Sequence, residues 1–308
     1  TARIIVDEWA YKGAQTLNTD VKAYASRDNG TTFSQITLAD QGNLTPTGDG
    51  GIQGNTILMM HCDGANGGTT FTDVSSEGGN TAQTCTANGN AQTKTDQFKF
   101  GTASAYFDGT GDYVAVTGDA EQWAFASEDF TIDFWIRPGT ASTQQRVFGD
   151  LNSGGSAAGF EFIQGGDDKM GFSGSAPVGL AMNDPTAMTM DTWYHFAVTR
   201  LGNEFRMYRD GVSVATVTIA GGMHRGLIPI GIGRSGDYNA QYFEGYIDEV
   251  RIQNGIAVWS GATSFTPPVA PYAVSHRLLS GSVDISGQPS GTNVKYKIET
   301  LNQAAAKQ

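Results

Sequence analysis

The sequence predicts an all-β fold of the sandwich or jelly-roll type, and three observations support this prediction. Glycine accounts for 41 of the 308 residues, nearly twice the usual frequency of about 7 per cent. Charged residues make up 16 per cent of the chain, where about 25 per cent is usual. Short runs that alternate apolar and polar residues recur along the chain, which is typical of many short strands joined by turns.

The individual strands are predicted from this alternation. In residues 130–137 and again in 194–199, every second side chain is apolar, as expected for strands with one buried face. Residues 205–214 form a predicted hairpin, because Asp210-Gly211 supplies the positive φ angles of a type I′ turn. About a dozen such strands without a helical pattern predict two packed sheets.

The chain divides into three predicted regions: 1–54, 55–271 and 272–308. The middle region ends at Pro267-Pro268, where proline stops strand pairing. Each end region supplies only two or three strands, which are marginal in isolation. We therefore expect the two ends to pair with each other as one small β-domain, into which the middle region is inserted.

The charge balance limits the partners that can be expected. Acidic residues outnumber basic ones by 31 to 19, for a net charge of −12, and we see no clustered basic run of the kind a nucleic-acid-binding face needs. No apolar run approaches the ~20 residues of a membrane span. The sequence therefore predicts neither a nucleic-acid partner nor membrane insertion.

Five motifs of the middle region occur in an order that resembles a known family. They are Leu58–Gly64, Phe100–Gly109, Phe130–Pro138, Trp193–Arg200 and Gly245–Ile252. Their order is similar to that of the laminin-G-like, concanavalin A-like jelly roll. The resemblance implies this sandwich fold for residues 55–271. It implies less about function, because the superfamily includes lectins, glycan-binding modules and glycan hydrolases.

A second resemblance lies in the first region. Residues Ser26–Phe33 fit the Asp-box pattern S-x-D-x-G-x-T-F, in which we expect Asp28 to hold a hairpin turn by hydrogen bonds. Together with the tail Ser280–Thr292, this arrangement resembles virion proteins of tailed phages, such as tail fibres, host-recognition proteins and head decorations. The resemblance implies a homo-oligomer on a virion surface, with other virion proteins as partners.

The closing strand Gly245–Ile252 contains one carboxylate where an apolar residue is expected. Strict alternation places Asp248 on the same face as Val250 and Ile252, which marks that face as buried. A buried carboxylate is costly unless it is paired, hydrogen-bonded or bound to a metal. In the resembled fold the first and last strands are neighbours, which implies that Asp63 lies near Asp248. Two carboxylates suit Ca²⁺; the alternative is that Asp248 accepts backbone N–H groups or pairs with an arginine.

Three polar loops, 150–159, 174–186 and 234–241, are candidate glycan-binding rims. They carry amide, carboxylate and tyrosine side chains of the kinds that bind sugar hydroxyls and sugar rings. The alternative interpretation is ordinary surface loop. The candidate residues are Asn152, Asn183, Asp237, Tyr238 and Asn239.

The sequence offers poor support for an enzyme. Retaining glycan hydrolysis needs two carboxyl groups about 5 Å apart, and the run around Glu161 does not supply the expected second carboxylate. The sequence therefore favours a non-enzymatic virion or cell-surface protein for structural display and adhesion, with a glycan or host receptor as partner. The alternatives are a carbohydrate-binding module of a secreted bacterial protein and, third, a glycan hydrolase. The sequence leaves open whether Cys62 and Cys85 form a disulfide.

Overall fold

The fold is taken from a computed structural model of the chain. The structure describes residues 2–9, 18–19, 21–44, 51–52, 54–118, 123, 125–151, 159–174, 179–223, 229–259, 261–273 and 276–300. The chain divides into two compact units, Thr1–Pro46 together with Val274–Gln308, and Thr47–Ala273. The domain boundaries that the sequence suggests, at 54/55 and 271/272, stay a prediction.

The first unit contains one five-stranded antiparallel sheet. Its strands follow the spatial order β1-β19-β3-β2-β20, so strands from the two ends of the chain hydrogen-bond to each other. Ala23 and Ile36 are paired and fully buried on one face of this sheet. The strands are β1 (Ala2–Trp9), β2 (Val21–Ser26), β3 (Ser34–Leu44), β19 (His276–Val283) and β20 (Lys295–Thr300).

The turn between β2 and β3 is held by the Asp28 carboxylate. It accepts the Ser26 hydroxyl at 2.6 Å and the Thr32 N–H at 2.8 Å. The Ser26 oxygen in turn accepts the Gly30 N–H at 2.9 Å. The hydrogen bonds from Ser26 and Thr32 hold the pKa of Asp28 well below its usual range. Asp28 thus holds the turn by hydrogen bonds. The resemblance to the Asp-box family stays a prediction.

The second unit is a sandwich of two antiparallel sheets. One sheet has seven strands in the order β13-β12-β11-β10-β17-β8-β5, and the other has the path β16-β15-β14-β9-β18-β7-β6, with β4 also paired to β18. Among the described residues the helical content is one short 3₁₀ helix, Ser75–Gly78. The all-β prediction is confirmed. The strands are β4 (Thr56–Met60), β5 (Thr84–Asn88), β6 (Gln92–Lys94), β7 (Ser104–Asp108), β8 (Tyr113–Thr117), β9 (Phe130–Pro138), β10 (Gln145–Gly149), β11 (Phe160–Gln164), β12 (Met170–Gly174), β13 (Ala181–Asn183), β14 (Tyr194–Leu201), β15 (Glu204–Arg209), β16 (Val212–Thr218), β17 (Ile230–Ile232) and β18 (Glu244–Asn254).

The apolar core lies between these two sheets. Phe134 of β9 meets Phe162 of β11 edge to face, with ring centroids 4.9 Å apart. Phe148 of β10 stacks beside Phe162 at 6.0 Å. All three rings are buried, and burying a phenylalanine contributes roughly 1.5–3 kcal/mol. Burial of these three rings therefore stabilises the folded sandwich by roughly 5–9 kcal/mol.

A β-bulge interrupts β18 at its centre. Asp248 lies opposite Trp135 of β9, but the next described pair is Arg251 opposite Asp133, so β18 advances three residues where β9 advances two. Glu249, inside this bulge, has a φ of 51°. Such a value is uncommon for a residue other than glycine, and it is the local signature of the extra residue.

The bulge makes the predicted alternation of this strand wrong. Val250 and Ile252 face the sandwich core as expected, but Ile247 faces it too. Asp248 lies on the opposite surface of the sheet, beside Trp135, because one inserted residue shifts every later side chain to the other face. Asp248 is still fully buried, so it must be covered by residues outside the sandwich core.

The two cysteines of the second unit are free thiols. Cys62 is buried and Cys85 is half-buried. Burial raises the pKa of the Cys62 thiol and raises the pKa of Cys85 to about 12. Because the thiolate is the reactive form, both thiols are expected to act as small apolar groups.

Candidate functional site

The surface of the seven-stranded sheet that faces away from the core is called the open face here. The core takes alternate residues of each strand, so the remaining residues lie on the open face. A row of directly paired residues crosses four strands on this face: Asn183 of β13, Gly171 of β12, Ile163 of β11 and Arg146 of β10. Neighbouring strands are about 4.8 Å apart, so the row spans roughly 14 Å.

One end of this row lies in a cleft of about 400 Å³. Asn183 is exposed there, whereas the charged groups around it are already paired. Asp184 lies 3.1 Å from Arg209, and Asp167 lies 3.2 Å from Lys169. The cleft therefore presents the uncharged Asn183 amide near two carboxylates that are already paired with basic side chains. Its lining is Ile163, Gly165, Asp167, Lys169, Gly171, Asn183, Asp184 and Pro185.

The other end of the row carries an arginine–tyrosine pair. The guanidinium carbon of Arg146 lies 3.5 Å from the ring centroid of Tyr238. Arg146 also forms an ion pair with Glu161 and donates from Nε to the Gln241 side chain at 3.1 Å. These contacts fix the arginine, and a cation over a tyrosine ring is itself attractive. Tyr238 is thereby positioned with part of its ring exposed.

A second arginine–tyrosine pair lies further along the open face. The guanidinium carbon of Arg234 is 3.5 Å from the ring centroid of Tyr113 on β8. Tyr242 stacks against Tyr113, with centroids 6.5 Å apart and an interplanar angle of 26°. A Cβ atom at Gly231 of β17 would approach Arg234 Cγ to 2.8 Å. Glycine at this position therefore lets Arg234 lie against the sheet.

The predicted glycan-rim residues are placed as follows. Asn183 lies in the cleft, Tyr238 belongs to the first arginine–tyrosine pair, and Asn239 accepts a hydrogen bond from the second arginine at 3.2 Å. Asp237 is exposed in the same loop as Tyr238 and Asn239. Asn152 lies outside the described residues. Their role in glycan binding stays a prediction.

Tyr113, Arg146 and Arg234 were not among the predicted site residues. A signal for the first two was present, because each precedes a buried residue, Val114 and Val147, within a short strand. Alternation would have placed Tyr113 and Arg146 on the outer surface. Arg234 had no such signal, since its position follows from the path of a loop.

The Asp248 carboxylate, the other candidate from the sequence, binds backbone donors. Its Oδ2 accepts the N–H groups of Lys99 at 2.8 Å and Phe100 at 3.2 Å. Its Oδ1 accepts the N–H of Glu249 at 2.9 Å. Burial and the nearby Glu249 charge raise the pKa of Asp248 well above its ordinary value, and the three N–H groups oppose this shift.

The Asp63 carboxylate holds the next residues of the same loop. Its Oδ1 accepts the N–H groups of Thr102 at 2.5 Å and Ala103 at 3.2 Å. Between the two sets of donors lies Gly101, with a φ of 67°, where a Cβ atom would collide with the Asp63 carboxylate. Asp63 and Asp248 thus hold consecutive parts of one loop, residues 99–103, by hydrogen bonds. This loop leads into β7.

These hydrogen bonds bear on the predicted Ca²⁺ site, because they occupy carboxylate oxygens that the ion would need. Ca²⁺ takes six to eight oxygen ligands, whereas Asp63 Oδ1 and both oxygens of Asp248 already accept N–H groups. In the part of the chain that the structure describes, no group of three or more His, Cys, Asp and Glu side chains could hold a metal. The donor set fits the backbone-acceptor alternative better. Ca²⁺ at Asp63 and Asp248 stays a prediction, tested by calorimetry and by the melting temperature in EDTA.

A second buried polar cluster lies on the outer surface of the eight-stranded sheet. Asp133, fully buried, accepts Arg251 Nε at 2.9 Å, lies 3.3 Å from His195 Nε2 and accepts the Tyr272 hydroxyl. Burial alone would raise the pKa of Asp133, but Arg251 and His195 outweigh it and lower the pKa. The cluster is enclosed, so it anchors the segment around Tyr272 and leaves no accessible site.

Glu249 of the bulge joins this covering segment to His61, the residue that follows β4. Its Oε1 lies 2.8 Å from His61 Nδ1, and its Oε2 accepts the Tyr272 N–H at 3.0 Å. Burial alone would lower the pKa of His61, but the hydrogen bond and charge of Glu249 outweigh it, and the pKa is raised. With its positive φ, Glu249 thus contacts two separate segments, one at His61 and one at Tyr272.

Two packed antiparallel sheets, one with an open outer face, define a lectin-type jelly roll. Residues 108–258 match a laminin G family model described as the concanavalin A-like lectin/glucanases superfamily. This part of the second unit is therefore similar to domains of the concanavalin A-like lectin/glucanase superfamily. A search of curated proteins finds no significant match to the chain.

The chain is similar to several solved structures at low sequence identity. The binding domain of Paraclostridial Mosquitocidal Protein 1 is 16% identical with a TM-score of 0.51, over 66% of this chain and 50% of that chain. Domain 4 of AbnA, an extracellular GH43 arabinanase from Geobacillus stearothermophilus solved with arabinotriose, is 17% identical with a TM-score of 0.47, over 66% and 95%. The binding domain of botulinum neurotoxin DC, solved with SialylT, is 13% identical with a TM-score of 0.47, over 66% and 49%. The chain thus spans about half the length of the first structure, and the jelly-roll prediction is confirmed.

We expect Gly101→Ala to destabilise the second unit by about 2–3 kcal/mol, since the positive φ costs about 1 kcal/mol and displacing Asp63 breaks its backbone hydrogen bonds. The matched control is Gly111→Ala, which has a φ of 80° and no heavy atom within 4 Å of the added Cβ. It should cost only about 1 kcal/mol. Urea unfolding measures both, and equal losses would contradict the role of Asp63.

We expect the His61–Glu249 pair to stabilise the fold more at low pH. Because the folded pKa of His61 is raised, its contribution is complete below the unfolded pKa of about 6.5 and is lost as the pH rises through the folded pKa. His61→Gln should therefore cost about 1 kcal/mol more at pH 5.5 than at pH 9. Urea unfolding of both proteins at both pH values measures this, and a pH-independent difference would show that His61 does not act through its charge.

Proposed function

We propose that the second unit binds glycans on its open face, and that the protein acts by adhesion and display without catalysis. The observation that supports this best is that Tyr113 and Tyr238 each lie against an arginine on this face, and that Tyr242 stacks on Tyr113. The Asn239 amide is bonded to Arg234, the arginine that contacts Tyr113. Tyrosine rings offer an apolar surface with a polar edge, and amides both donate and accept hydrogen bonds. Sugars present the matching combination of apolar ring faces and hydroxyl edges.

The cleft at Asn183 extends this surface. It lies at the other end of the row that begins at Arg146, roughly 14 Å away. Binding sites usually combine a concave surface with a few placed polar groups, and the cleft supplies both. We infer that a glycan chain, rather than a single sugar, would lie along the row.

The open face favours binding over hydrolysis. Among the described strand residues of this face, Glu161 is the only carboxylate, and it is paired with Arg146. Glycan hydrolysis commonly needs two carboxyl groups flanking the bond. We therefore propose a non-enzymatic protein, although the same fold occurs in glycan hydrolases.

We also propose that the protein is displayed on a virion or cell surface, with the first unit joining it to other virion proteins. The support is the resemblance of Ser26–Phe33 and Ser280–Thr292 to virion proteins of tailed phages. Among the described residues, no helix is long and apolar enough to cross a membrane. An extracellular or virion-surface location fits this proposal.

We expect a symmetric homo-oligomer in solution if the protein is a fibre or capsid component, because such assemblies repeat one chain around an axis. Light scattering of the full chain, from about 1 to 100 μM, measures the mass. A monomer across this range would instead favour a carbohydrate-binding module of a secreted bacterial protein.

A glycan array probed with the labelled full chain tests the proposed binding, and we expect a subset of glycans to bind. Tyr238→Ala should weaken binding at least about tenfold, since the aromatic contact is lost. The matched control is Tyr246→Ala, which removes a tyrosine packed near Arg137 on the other sheet. Binding unaffected by Tyr238→Ala, or reduced equally by the control, would place the site elsewhere. The absence of binding to every printed glycan would overturn the proposal.

A further inference from the structure

Among the described arginines of the second unit, Arg234 has neither a carboxylate partner nor a set of backbone carbonyls that satisfies its donors. Five of the others form ion pairs with carboxylates, and Arg200 donates to three backbone carbonyls. Within the described residues, Arg234 has no carboxylate within 4.0 Å, and its one hydrogen bond goes to the Asn239 amide oxygen. A guanidinium has five N–H donors, so most of its capacity is unused in a chain of net charge −12.

Two contacts, and the space left by a glycine, nevertheless hold this side chain in place. The guanidinium packs 3.5 Å from the Tyr113 ring centroid, NH1 donates to Asn239 at 3.2 Å, and the missing side chain of Gly231 makes room for its stem. The buried Nε has no acceptor among the described residues. A side chain fixed before binding loses less entropy when a ligand binds. Arg234 is therefore a preorganised cation without a counter-charge.

The other arginine of the open face cannot take this role. Arg146 is stacked under Tyr238 and its charge is neutralised by Glu161. Arg146 thus positions the tyrosine, whereas the charge of Arg234 remains available. The two arginines lie against similar tyrosine rings but differ in their free charge.

We infer that the open face selects acidic sugars, and that a sugar carboxylate, as in a uronic or sialic acid, binds the Arg234 guanidinium. This inference rests on the proposed glycan binding. Arginine and carboxylate match as two parallel N–H···O bonds, which are among the strongest hydrogen bonds in proteins. Tyr242, stacked on the Tyr113 ring that the arginine also contacts, provides a ring against which the sugar body packs.

The net negative charge of the protein does not prevent this recognition. At physiological ionic strength the Debye length is about 8 Å. Repulsion from acidic groups further away is therefore largely screened, while a contact ion pair at Arg234 is screened much less. Selectivity for the acidic sugar comes from the local pair and not from the overall field.

The test uses one glycan array with carboxylated, sulfated and neutral sugars, probed before and after methyl esterification of the printed sugars. Esterification removes the charge of a carboxylate and leaves a sulfate intact. We expect the wild-type chain to bind carboxylated glycans and to lose them on esterification. Arg234→Gln should weaken this binding more than about tenfold, because a charged hydrogen bond is lost. Arg234→Lys should restore it only in part, since lysine lacks the planar fork.

The control variant is Arg206→Gln, which removes an arginine paired with Glu204 on the other sheet and should leave binding unchanged. If the wild type binds only neutral glycans, and Arg234→Gln binds them equally well, the inference is overturned while the proposed glycan binding holds. Binding to sulfated glycans alone would also overturn it. No binding at all overturns both proposals. If Arg234→Gln does not fold, the esterified array still decides the question with the wild-type chain.

Discussion

The architecture of the second unit depends on the extra residue that the bulge at Glu249 inserts into β18. This strand pairs with β4, β7 and β9, so it is the point where the eight-stranded sheet is joined. Without the bulge, Asp248 would point into the sandwich core, where no partner could neutralise it. With the bulge, Ile247 and Val250 both fill the core, and Asp248 instead binds the loop before β7. The positive φ costs roughly 1–3 kcal/mol, and the hydrogen bonds of the Glu249 carboxylate offset it.

The two outer surfaces of the sandwich differ in how many of their polar side chains are enclosed. On the eight-stranded sheet, charged residues such as Asp133 and Arg251 face outward and are covered, so they form an enclosed network. A network of this kind stabilises only when every member has a partner, which makes that surface unsuitable for a ligand. On the seven-stranded sheet, the open face contains Gly171 and Gly231, and Tyr113, Tyr238 and Tyr242 remain partly accessible there. The proposed site therefore lies on the surface whose polar side chains are not all engaged in structural contacts.

Alternation and turn residues were enough to predict the all-β class and a sandwich or jelly roll, because a strand with one buried face must repeat every two residues. The order of the motifs, by its resemblance to a known family, singled out the jelly roll. The same rule failed at Asp248, since a bulge changes the phase without changing the composition of the strand. The rim prediction included Tyr238 and Asn239 because polar loops are visible in the sequence. The arginine partners of the two tyrosine rings were not predicted, because Arg146 meets Tyr238 and Arg234 meets Tyr113 only through the path of the folded chain. Contacts between residues about 90 or 120 positions apart leave no trace in a local pattern.

The shape of the open face connects the proposed binding to the proposed display. Its aromatic rings are stacked on arginines and each other, so a glycan would meet a shallow surface and one cleft near Asn183. Shallow sites bury little of a ligand, and binding of a flexible sugar chain also costs ordering entropy. We therefore expect modest affinity at each site. Linked copies of such a site raise the overall avidity by 10²–10⁴ without any new contact. A weak, sugar-directed face is consistent with a protein that presents several copies on one surface, and the affinity of a single chain would understate its adhesion.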